Sequence, residues 1–144
     1  MTEDQRLVQM RNQLEAHRAN EAKVREANDF MIQEFSKAFR TILESKLMPA
    51  LVMVEATLRA TGFSNVAVKN LGFSHDECSA SISGTWPITG RKTEVVMFAM
   101  ADTHANPEWR VISFRVNGNQ VQAKFATQEE DDLLAKRITS FFVA

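Results

Sequence analysis

Four residues have side chains that could do chemistry together: His75, Cys78, Asp102 and His104. They offer nitrogen, sulfur and oxygen donors, a mixed set that a divalent metal accepts. A cysteine beside a histidine can also serve as a nucleophile with its base. His75 and Cys78 lie in Ser74-His75-Asp76-Glu77-Cys78, and Asp102 and His104 in Asp102-Thr103-His104-Ala105-Asn106-Pro107. The two stretches share one end of the molecule only if they are the first and third turns of an up-and-down sheet. Plainer readings compete. Asp, Asn and His are ordinary turn residues, and no spacing here matches a zinc pattern. Cys78 also fits as a small apolar core residue. The two turns would stand at least one strand spacing apart, about 4.8 Å.

Arg91 and Lys92 form a second candidate. They follow Thr89-Gly90, and Asn117-Gly118-Asn119 falls at the same end of the same sheet. Two cations and glycine-freed backbone amides could hold an anion. A solvated turn explains the same residues more simply. The sequence contains no GxGxxG, P-loop, GxSxG or HExxH pattern, so the common nucleotide, hydrolase and zinc-protease sites are not signalled. The aromatic pairs of RNA-recognition sheets are missing too, since Trp109 is the one outward aromatic candidate.

Arg11, Arg18 and Arg25 recur at heptad spacing and could track phosphates. However, residues 1–28 hold as many acids as bases, which favours a solvated face. The whole chain carries a net charge of −1 over 144 residues, so it has no general attraction for nucleic acid or anionic membrane. A single cysteine excludes an internal disulfide and suits a reducing compartment. Residues 1–28 are charged throughout and do not resemble a secretory leader. The longest apolar run, Leu47 to Val54, contains Pro49 and is far too short to span a bilayer. A cytoplasmic protein that needs no cofactor is expected.

The elements that must position these residues fall into two parts, a helical arm over 1–28 and an α+β domain over 29–144. Thr2 and Gln5 make a capping-box pair, and no Gly or Pro follows until Pro49. The apolar seam reads Leu7, Met10, Leu14, His17, Glu21, Val24, Asn28, Met31, Phe35, a coiled-coil register with polar residues at three seam positions. So narrow a stripe must dock on something. A second copy, a different protein and the body of the same chain are the three choices. Methionines at 10, 31, 48 and 53 read as core or interface filler.

From Asp29 to Thr61 the pattern is a wide apolar helix face, with Phe30, Met31, Phe35, Ala38, Phe39, Ile42 and Leu43 at three- and four-residue spacing. Pro49 predicts either a kink or a second helix with proline in its first turn. Gly62 predicts the stop. Beyond it the period becomes alternating, and five strands are predicted near 65–71, 77–86, 93–101, 109–116 and 120–126. The third is apolar on both faces apart from Glu94 and is expected to be central. Ser79, Ser81, Ser83, Thr85, Ser113 and Arg115 are expected on a solvated outer face. Thr127 and Glu130 predict a capping box for a last helix, whose apolar face is Leu134, Ile138, Phe141 and Phe142. Short connections favour a five-stranded antiparallel meander, with the central and last helices on one face.

The function expected from these features is association without catalysis. The arm would pair in a homodimer or grip another protein through Leu7, Met10, Leu14, His17, Val24 and Met31. A small ligand- or metal-binding domain or enzyme is the alternative. It would use a pocket between sheet and helix or the His75/His104 end. Nucleic-acid binding through the arginine row comes third.

Overall fold

The computed structural model describes residues 2–100, 111–126 and 131–143. The chain divides into two compact units, Met1–Glu34 and Phe35–Ala144. Helix α1 runs from Glu3 to Ile42 and is unbroken through Asn28 and Asp29. Its first turn is closed by the capping box. The Thr2 N–H donates to Gln5 Oε1 at 3.0 Å, and the Gln5 N–H donates to Thr2 Oγ1 at 3.3 Å.

A π turn, Leu43–Leu47, joins α1 to α2, Met48–Thr61. The Met48 N–H reaches back five residues to the Leu43 carbonyl. Pro49 accounts for this. Its ring would collide with the carbonyl four residues upstream, that of Ser45, and it has no N–H to offer. One extra residue in the preceding turn opens the helix where the ring must fit. The helical backbone thus runs on past Pro49 without the end near Lys46 that one of the two predicted outcomes required; the proline sits in the first turn of α2, and the π turn makes room for it. Gly62 ends α2 with φ 111°, and its N–H and that of Phe63 return to the Leu58 carbonyl at 3.1 and 3.0 Å.

The sheet is a five-stranded antiparallel meander in the order β1-β2-β3-β4-β5. The strands are β1 Ser64–Phe73, β2 Glu77–Trp86, β3 Arg91–Met100, β4 Val111–Val116 and β5 Asn119–Ala126. The last helix, α3, spans Asp131–Val143. The protein is thus α+β, with α3 against the sheet, and β3 is central as its two apolar faces required. Edge strand β1 is irregular, with register shifts between Ser64 and Ala67 and between Asn70 and Gly72. Such shifts discourage pairing with another edge. The β4–β5 turn uses Asn117 at φ 51° and Gly118 at φ 81°. Asn117 also clasps β3: its N–H donates to the Glu94 carbonyl and its Oδ1 accepts from the Glu94 N–H, both at 2.8 Å.

One core holds the second unit together. Phe39, Leu43, Leu47, Leu51, Val54 and Leu58 pack with Ile82, Val95, Met97, Ile112 and Phe114 of the sheet and Leu134, Ile138 and Phe142 of α3. The outer face departs from the solvated surface expected of it. Ser81 is only 5% exposed and Phe98 only 8%. Phe98 lies on the central strand opposite Ser79 and Ser113. The Arg115 guanidinium sits 4.8 Å from its ring centroid. One large ring flanked by serines, with an arginine guanidinium laid over it, leaves little of that patch open to water. The predicted contributions of Trp109, Thr127 and Glu130 lie outside the described residues.

Candidate functional site

The arm's seam is built by helical period alone. In the first unit every described residue, 2 to 34, is exposed. Leu7, Met10 and Val24 are about three-fifths exposed and Leu14 and Met31 about half. At a rise of about 1.5 Å per residue, residues 7 to 31 make a stripe roughly 36 Å long. Near its middle, His17 Nε2 lies 3.0 Å from Glu21 Oε1, an i,i+4 pair in which both groups face solvent. Sequence reasoning missed the breadth of the stripe near its end. Phe30, expected on the apolar face of the central helix, is 64% exposed, Ile32 to one side of that face is 42% exposed, and burial begins only around Phe35. Their periodicity identified an apolar face but carried no information on what covers it.

The histidine–cysteine constellation does not form among the described residues. His75 stays at the surface, with Nε2 3.3 Å from Asp76 Oδ1. Cys78 is the second residue of β2, and alternation turns it into the core with no exposure. Burial pushes its thiol up to about 11, opposed by a hydrogen bond with the Ala99 backbone and aided by the charge of Glu77. A thiol held in that state is a weak nucleophile and a poor metal ligand at neutral pH. Asp102 and His104 lie outside the described residues. Among the described residues, no three His, Cys, Asp or Glu side chains gather closely enough to hold a metal ion.

Arg91 and Lys92 part company for the same reason. They are neighbours on β3, paired with Trp86 and Thr85, so their side chains leave opposite faces of the sheet. Arg91 lines a pocket of about 380 Å³ on the helix side with Thr61, Phe63, Trp86, Phe142 and Val143. Phe63 stands 5.0 Å from Trp86 and 5.9 Å, edge-on, from Phe142. Gly84 borders these rings, and a methyl group there would meet Phe63 and Phe142 at ordinary contact distances, 3.5 and 3.6 Å. The Asn117 amide, one of the backbone donors expected to face an anion, is already given to Glu94. A second, more open groove of about 690 Å³ runs between α2 and α3, lined by Met53, Thr57, Ala135, Lys136, Thr139 and Val143 among others.

No family model, curated protein or solved structure matches this chain. No helix among the described residues is long and apolar enough to cross a membrane.

Proposed function

We propose that this is a non-enzymatic assembly protein of the cytoplasm that associates with itself as a coiled-coil dimer through its N-terminal helix. One observation supports the reading above the others. Leu7, Met10, Leu14, Val24 and Met31 recur at heptad spacing, and each is about half exposed or more. A lone helix of this kind in water draws its stability from packing rather than propensity, and these residues supply a packing surface. The second unit has a core of its own.

The test is the solution mass of the full chain by light scattering, beside a Leu7→Gln, Leu14→Gln, Val24→Gln variant. Glutamine keeps helix propensity and removes the apolar stripe. A wild-type dimer that becomes a monomer in the variant is the expected result. A wild-type monomer at about 100 μM, or a dimer that ignores the substitutions, would overturn the proposal.

A second reading rests on the pocket between Phe63, Trp86 and Phe142 with Arg91 at its side. Its size and aromatic lining suit a small organic anion. Quenching of tryptophan fluorescence by an aromatic carboxylate, reduced in Arg91→Ala, would favour it.

A further inference from the structure

We infer that two copies of the chain pair their N-terminal helices antiparallel, in the register that sets Leu7 opposite Met31 and His17 opposite Glu21. The inference rests on the self-association proposed above and adds its orientation. The seam from Leu7 to Met31 advances by alternating steps of three and four residues, and it begins and ends on a step of three. It therefore reads the same from either end, and a reversed copy meshes with it layer for layer. The layers are Leu7 with Met31, Met10 with Asn28, Leu14 with Val24, and His17 with Glu21, each formed twice around a central two-fold axis.

Charge decides between this arrangement and a parallel one. A parallel, in-register pair stacks every seam residue on its own copy. Glu21 then meets Glu21 and His17 meets His17, in adjacent layers at the middle of the seam. Carboxylates brought together while losing water repel strongly. Arg6 would also flank Arg11. Reversal turns both central layers into His17–Glu21 pairs and sets Arg6 beside Glu34. His17 and Glu21 already approach to 3.0 Å within one chain, so four alternating donors and acceptors would meet at the axis.

Reversal has a cost of its own. The row of Arg11, Arg18 and Arg25 comes beside its copy, with Arg18 near Arg18 and Arg11 near Arg25. These flank positions are exposed, where a like-charged pair weakens association by a factor of about two. Carboxylates of the same helix stand within one turn of each arginine, namely Glu15, Glu21 and Asp29. A parallel pair keeps one advantage, an Asn28–Asn28 amide contact. Two like layers at the centre of the seam outweigh it.

The test uses the full chain. Leu7→Cys and Met31→Cys proteins are mixed and oxidised, and the cross-linked peptides are identified by mass spectrometry. The expected product joins position 7 to position 31. The mass of the mixture before oxidation is read by light scattering. A dimer whose main product joins position 7 to position 7, or a dimer that gives neither product, overturns the orientation and leaves self-association standing. A monomer overturns both. Glu21→Gln gives an independent reading of the same choice. In the reversed pair it removes two attractive contacts and weakens the dimer about three- to tenfold. In a parallel pair it relieves a repulsion, so a tightened dimer also overturns the inference.

Discussion

Cys78 offers a sharp test of the packing at the His75 end of the sheet, because burial and ionisation act in the same direction there. The perturbation is unfolding, and the readout is the rate of reaction with a disulfide reagent at pH 8. An unfolded thiol with its ordinary value of 9.0 is about one-tenth thiolate at that pH, whereas one held up to about 11 is about one-thousandth. Ionisation alone therefore slows labelling about a hundredfold. Access slows it further. Cys78 has no exposed surface, so the reagent must wait for an opening of β2, and openings of core strands approach the cost of global unfolding. The native protein should label more than a hundredfold slower than the protein in urea. The sign with pH follows from the same shift. The folded state holds the thiol proton more tightly, so this group's contribution to stability is full below about 9 and declines as pH rises toward about 11. Native labelling within tenfold of the unfolded rate would refute both the burial and the inert thiol, and would return Cys78 to the list of candidate nucleophiles.

Two further outcomes follow from the core. At Gly84 a methyl group would find Phe63, Phe142 and Val66 at 3.5 to 3.6 Å, ordinary contact distances. Gly84→Ala should thus stabilise the fold by about 1 kcal/mol, from the buried methyl and a less flexible unfolded chain, while Gly84→Val overfills the site and costs about 1–3 kcal/mol. Urea titration checks both, and a Gly84→Ala protein weaker than wild type would show the rings to be tighter than described. In α2, Leu51 is fully buried and its neighbour Val52 is 59% exposed. Leu51→Ala should cost about 2–5 kcal/mol and Val52→Ala less than about 0.5 kcal/mol, so equal losses in urea titration would contradict the placement of α2.

The fold could be read because its signals are local and repeated. Alternation in Cys78, Ala80, Ile82 and Gly84 marks one inward face, and all four are buried. The unbroken apolar run of Val95, Val96, Met97 and Phe98 requires cover on both sides, and the central strand provides it. What could not be read is whatever depends on the third dimension. His75 and Cys78 look like a pair at a separation of three residues, but the strand begins at Glu77 between them, leaving His75 in the exposed turn and sending Cys78 into the core. Arg91 and Lys92 look like one basic rim until the pleat divides them. Phe63 lies between a helix stop and a strand, where no periodicity speaks, so its meeting with Trp86 and Phe142 has no signal in the chain. Ser81 falls on the outer face that alternation gives it, yet is buried, opposite Val96 of the central strand.

The arm poses the same problem in a purer form. Period and composition identify the seam, but a seam of only apolar residues would bind any apolar surface, its own copies included, in many registers. His17, Glu21 and Asn28 interrupt it, and each makes some alignments worse. A polar residue in a seam lowers affinity in every register, yet lowers it least where its partner is complementary. Under the antiparallel reading that holds for His17 and Glu21 in one register, and a shift by one heptad sets Glu21 against Val24 or Met10. The apolar positions then supply the attraction, and the charged ones at the centre choose the alignment. This division also accounts for a long exposed helix without an apolar face on all sides. Under the same reading, marginal stability alone, with full stability on pairing, would keep the arm from holding the wrong surface.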